Sequence, residues 1–116
     1  MHRILLIAAL LLAACSRGEA PPTPLTEAQS AALRPADPRL AKFYEGSCMG
    51  CHTVKSALAP LAGDRTLWDP RWAKGEAVLL TNAQTGFGGM PAGGQCFECA
   101  PDDLKALIRF MAGRDK

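Results

Sequence analysis

Five cysteines in a chain of 116 residues constrain its fold more than any other feature. They stand in three groups: Cys15 alone, Cys48 with Cys51, and Cys96 with Cys99. The stretch with the composition of a folded domain, 38–116, has only 79 residues. A core that small is marginal and generally needs a covalent staple, a metal or a cofactor. The cysteines are the residues that can supply one. The charges add an exclusion: 13 Lys plus Arg against 11 Asp plus Glu leave no basic stripe, which argues against a nucleic-acid partner.

The first cysteine belongs to an address. His2 and Arg3 precede eleven unbroken apolar residues, Ile4 to Ala14. A spanning helix needs about 20 residues, so the run reads as an export signal. Its end, Leu12-Ala13-Ala14-Cys15, resembles the lipobox of bacterial lipoproteins, whose Cys becomes the diacylated first residue. An ordinary cleaved signal with Cys15 incidental is the alternative. The reading expects a lipoprotein signal peptide over 1–14 and a periplasmic, lipid-anchored chain beyond it. Outside the cytoplasm, thiols oxidise. The next stretch, 15–37, is expected to be the lipidated Cys15 and a tether, since Pro21, Pro22, Pro24 and Pro35 fall in it. Within it, Leu25 to Leu33 reads as disordered linker, with a transient helical turn as the other possibility. Fully extended, Ser16 to Ala36 reaches about 65 Å at ~3.1 Å per residue.

Helical signals come next along the chain. Asp37-Pro38 reads as an N-cap and a first-turn proline, with Leu40, Phe43, Tyr44 and Ser47 at helical spacing behind them. Gly75 to Gln84 groups Leu79, Leu80 and Ala83 on one face, and Gly86 can end it. Pro101 to Met111 places two acids at its start and Leu104, Leu107, Ile108 and Met111 at i, i+3, i+4 and i+7. No stretch alternates with period two. The expectation is an all-α domain of three to four helices.

Cys48-Met49-Gly50-Cys51-His52 is the pattern of c-type haem attachment. Two thiols at this spacing reach the two vinyl groups on one porphyrin edge, and the adjacent imidazole meets the iron. The rival is a zinc site built from both CxxC pairs. His52, the oxidising compartment and the long separation of the pairs count against it. A thioredoxin-like pair lacks the strand–helix context. His2 leaves with the signal, so His52 is the one histidine of the mature chain, and a second ligand must be found elsewhere. Methionine is the other common electron-transfer ligand. Met49 is inside the attachment loop and Met111 lies on an apolar helix face. That leaves Met90, between Gly88-Gly89 and Pro91, as the expected sixth ligand. An exposed loop methionine beside an open iron is the alternative. Two axial ligands leave no place for substrate, which favours electron transfer over catalysis. Cys96 and Cys99 are expected to form a structural disulfide that locks the turn before the last helix, with a catalytic disulfide as the sharper reading.

With these motifs in place, residues 38–116 resemble class I c-type cytochromes, and among them the bacterial cytochrome c-five type. Beyond the haem motif the resemblance rests on Ala59 to Asp64, Trp68-Asp69-Pro70-Arg71, Gly75, and the run Gly89 to Cys99. It implies helices wrapped around one covalent haem c, with the first and last crossing. It implies that the Pro60 carbonyl accepts the His52 proton, and it suggests Trp68 and Arg71 as propionate neighbours. Core packing and a solvated charge are the alternatives for those two. It also implies redox partners on both sides, of the kind of a quinol–cytochrome c reductase and a terminal oxidase or reductase. Departures are Leu40 where a small glycine is usual, and Lys55 and Leu58 in place of glycines after the motif. The glycines after Met90-Pro91 also stand one position early. The leading expectation is a membrane-tethered monohaem electron carrier. A haem subunit of a larger dehydrogenase or reductase is the runner-up, ahead of a gas-sensing or peroxidase module and a zinc protein.

Overall fold

The computed structural model describes residues 18–115. The signal peptide over 1–14 and Cys15 lie outside the described residues. Among the described residues there are six α-helices: α1 Glu27–Ala31, α2 Pro38–Phe43, α3 Met49–His52, α4 Arg65–Trp72, α5 Glu76–Thr85 and α6 Pro101–Met111. Among the described residues no strand forms; one isolated antiparallel bridge joins Phe87 to Met90. No described helix is long and apolar enough to cross a membrane.

The Asp37 side chain caps α2, accepting from the N–H groups of Arg39 and Leu40. A π-helical turn, Tyr44–Cys48, joins α2 to α3, so one helical run leads from Pro38 to His52. One extra residue in a turn rotates the residues beyond it by about 100°. The attachment motif is therefore aimed differently from the direction an unbroken helix would give. Helix α6 begins at Pro101, and the Asp103 carboxylate accepts from the Ala100 N–H at 2.9 Å. Its apolar face carries Leu107 and Met111 into a core with Tyr44, Cys48, Ala62 and Trp68. Tyr44 meets Phe110 edge-on at 5.0 Å, and Leu40 packs against the same cluster. A second cluster gathers Leu79 and Ala83 of α5 with Ile108 of α6.

Arg39 closes the contact of α2 with α6 through two bonds to Asp103, at 2.7 and 2.9 Å. The Arg39 guanidinium and the Ala100 N–H hold the Asp103 carboxyl below its ordinary value. A carboxylate with a lowered folded pKa stabilises the fold above its unfolded value and loses that contribution as pH falls through the folded one. The thermal midpoint of Arg39→Ala should therefore lie below wild type at neutral pH, and the gap should shrink in acid. A gap that does not change with pH would rule out the pair as its source.

The expected tether differs from the structure in its second half. Thr26 and Gln29 form a reciprocal capping box that starts α1. The Leu25 N–H donates to Asp64 at 3.0 Å, and the Lys55 N–H donates to Glu27. Ser30 is fully buried. The packed body thus begins near Leu25, not at residue 38, because this short segment caps itself and finds polar anchors on the body. A second unforeseen helix is α4, capped by Asp64 through the Thr66 N–H and carrying Pro70 inside it. With α2–α3, α5 and α6 it completes the four helical runs of the expected fold class.

Candidate haem site

The run α2–α3 delivers the motif. Cys48 is buried, Cys51 is exposed, and both thiols are free. Burial pushes the Cys48 thiol up to about 11. The His52 ring is buried, and its Nδ1 donates to the Pro60 carbonyl at 2.8 Å. That partner fixes the proton on Nδ1 and leaves the Nε2 lone pair for a metal. Burial pulls the imidazole below its ordinary value; the Pro60 bond opposes this and the Arg71 charge adds to it. The ring is thus held neutral, the state in which it can ligate.

Trp68 packs beside the imidazole, ring centres 5.9 Å apart and 28° from parallel. Its Nε1 donates to the Leu61 carbonyl at 2.9 Å. The indole N–H is therefore committed to the protein. Trp68 serves as the wall of the histidine pocket and packs in the main core. Arg71 Nη1 donates to the Leu67 carbonyl at 2.5 Å, and among the described residues it joins no ion pair. Its charge reaches His52, so the structure brings His52, Pro60, Trp68 and Arg71 together.

Met90 stands on a separate loop. Phe87 and Met90 exchange backbone bonds of 3.0 and 2.9 Å across Gly88-Gly89. Gly88 takes φ +56°, which a residue with a Cβ adopts with difficulty. The Met90 side chain is half-buried against Leu79, Ala83 and Ile108. A Cβ on Gly94 would sit 3.1 Å from Met90 Cε, so the absent side chain there makes room for the methionine. Met111, by contrast, is enclosed in the main core at 3% exposure.

After the motif, Leu58 takes φ +57° at 91% exposure. The loop follows a left-handed path that a glycine would take freely, with a leucine accepting roughly 1–2 kcal/mol of strain.

Cys96 and Cys99 are joined in a disulfide, with Cα atoms 5.3 Å apart. Two of the four thiols that the zinc alternative needs are thereby consumed. Among the described residues no group of three or more His, Cys, Asp or Glu side chains could hold a metal. Cys99 rests on the main core and Phe97 projects into solvent, so the loop is clamped at its base. A cross-link closing so small a loop contributes about 2 kcal/mol in the chain-entropy picture. Replacing both cysteines with Ser should lower stability by about that much and leave the reduction potential nearly unchanged. Denaturant unfolding and potentiometry of the holoprotein check this; a large change in potential would refute a purely structural role.

Sequence reading missed Leu25, Glu27 and Ser30. The Thr26-x-x-Gln29 capping box was the signal available for α1.

The family model described as cytochrome C oxidase, cbb3-type, subunit III matches residues 35–111. The chain belongs to the cytochrome c family. It is 38% identical over 82 residues to cytochrome c5 of Azotobacter vinelandii, covering 69% of this chain and 94% of that one. It is 32% identical over 77 residues to cytochrome c-555 of Chlorobaculum thiosulfatiphilum, covering 63% and 90%. A solved structure described as an electron transfer complex of nitrite reductase with cytochrome c contains a similar chain. That match has a TM-score of 0.60 and 32% identity, covering 69% of this chain and 98% of that one. Membership brings one covalent haem c and the role of monohaem electron carrier. The residues present fit that group: two unpaired thiols precede a neutral imidazole whose Nδ1 is already occupied.

Proposed function

We propose that this cytochrome is a lipid-anchored periplasmic electron carrier whose haem is bound by Cys48 and Cys51 and ligated by His52 and Met90. The observation that carries the ligation is the His52 Nδ1 bond to Pro60, which aims a neutral imidazole with a free Nε2. Met90 is the second ligand because His52 is the one histidine among the described residues, Met49 is inside the motif, and Met111 is enclosed in the core. When bound, the haem supplies an iron that exchanges one electron. The chain's own work is to keep that exchange easy. Pro60 fixes the ring's tautomer, Trp68 excludes water from its flank, and the Phe87–Met90 hairpin presents the thioether. Arg71, free of acidic partners among the described residues, is placed to meet a propionate. His52 and Met90, each held by its own backbone hydrogen bonds, would let the iron change charge with little rearrangement of the chain.

The anchor rests on the Leu12-Ala13-Ala14-Cys15 pattern. Haem-stained protein should sediment with membranes and be released by detergent, and Cys15→Ser should release it without detergent or block its export. Wild-type protein found freely soluble, with an unmodified N-terminus beyond Cys15, would remove the anchor from this proposal.

A second reading has its own support. The matched model describes a subunit of an oxidase, which favours a haem-bearing subunit of a larger complex. The nitrite reductase complex of the similar cytochrome supports a docked redox enzyme as partner under either reading. Sedimentation after mild detergent release separates them: a carrier runs alone, a subunit runs with its enzyme.

A further inference from the structure

One element of the body has no part in the carrier mechanism: the strap formed by α1 and its flanks, which packs against the loop that orients His52. The matched family region begins at residue 35, so the strap lies ahead of it. Ser30 is its deepest residue, at 0% exposure. Its hydroxyl lies 2.8 Å from the Ala62 carbonyl and 3.2 Å from the His52 carbonyl, and its single proton bridges the two. The His52 carbonyl also accepts the Ala62 N–H at 2.7 Å, while the His52 ring donates to Pro60 at 2.8 Å. Ring and carbonyl of one residue are thus tied to the three-residue loop Pro60-Leu61-Ala62. Among the described residues the Ala62 carbonyl has no other hydrogen-bond partner. Leu33 presses the strap down where Gly63 has no side chain; a Cβ there would come within 2.3 Å of Leu33 Cδ1.

We infer that Ser30 is a positioning residue for the axial histidine. It holds loop 60–62 at the distance where Pro60 accepts the Nδ1 proton, and so sets how strongly Nε2 donates to iron. This rests on His52 being an iron ligand. The physical chain is short. A hydrogen bond from Nδ1 makes the imidazole a stronger donor. A stronger donor favours ferric iron and lowers the reduction potential. Without the hydroxyl, the buried Ala62 carbonyl lacks a partner, and a buried group in that state draws the backbone toward water. The loop then relaxes away from the ring and the Nδ1 bond weakens.

The test uses the full holoprotein and its reduction potential, together with the exchange rate of the His52 Nδ1 proton by NMR in the ferrous state. Ser30→Ala should raise the potential and speed the exchange by about tenfold or more, as local opening of a protected group does. Glu27→Ala loosens the strap at Lys55 alone and should leave both at their wild-type values. An unchanged potential in Ser30→Ala overturns the inference, as does a fall, which entry of water alone would produce. An equal shift in Glu27→Ala also overturns it. Should Ser30→Ala lose its haem, exchange in the wild type decides. The Nδ1 proton should then exchange with the strap amides of Ser30 and Leu33. Protection at the level of the α6 amides while the strap amides exchange freely refutes it. A wild-type spectrum without a histidine ligand overturns the ligation proposal and this inference with it. Histidine ligation kept beside an unmoved potential overturns this inference alone.

Discussion

Met90→Ala should leave the haem covalently attached while the iron turns high-spin or takes up water. Cys48 and Cys51 still hold the ring, and His52 still binds from its side. The potential should fall, because a thioether favours ferrous iron and its replacement does not. Carbon monoxide or cyanide should then bind readily to the variant and poorly to the wild type. The loop also loses the side chain that packs on Leu79, Ala83 and Ile108, so the variant should unfold at lower denaturant. Spectrum, potential and ligand binding, measured side by side with wild type, decide the matter. A mutant that remains six-coordinate and low-spin at an unchanged potential would show that Met90 is not the ligand.

The largest loss of stability should come from Trp68→Ala. The side chain is 5% exposed, belongs to the main core and bonds the Leu61 carbonyl. Truncating a buried tryptophan typically removes about 3–5 kcal/mol. That is a large part of the roughly 5–15 kcal/mol that holds a small domain together. Trp68→Phe should recover part of the packing and none of the hydrogen bond. Denaturant unfolding of the three holoproteins gives the ranking. An alanine variant within about 1 kcal/mol of wild type would mean that the site collapses around the deletion or that the haem carries the stability.

Sequence and structure agree where chemistry is local. Cys48-x-x-Cys51-His52 declares its cofactor through spacing alone, and the cross-link of Cys96 to Cys99 joins two thiols already close in sequence. Helix α6 was readable because its apolar period is strong and Pro101 and Gly113 bracket it. The Pro60 carbonyl could be named only through family resemblance, since nothing in residues 52–60 reveals which carbonyl a ring nitrogen will find. Helix α4 was hidden by Pro70 and by polar residues among its tryptophans. It is shaped by the Asp64 cap and the burial of Trp68, a tertiary matter. The π turn before Cys48 was illegible because Leu40, Phe43, Tyr44 and Ser47 satisfy an ordinary helical period. The proline content of residues 21–38 concealed the strap. Composition reports the average stiffness of a segment, whereas docking depends on three or four well-placed contacts.

Those contacts also change how far this electron can be carried. If Cys15 is the lipid anchor, the chain between it and the packed body spans at most nine residues, 16–24, because Leu25 is already fastened to Asp64 and Glu19 pairs with Arg65. At ~3.1 Å per residue that leash is about 28 Å, against about 65 Å had the segment to Ala36 been loose. On such a leash the local concentration seen by a membrane-bound acceptor would rise by roughly three- to fourfold, as the −3/2 power of tether length. With that anchor, the short helix would confine the carrier to its immediate neighbours, which would receive electrons often, while an enzyme standing farther from the bilayer would go unserved.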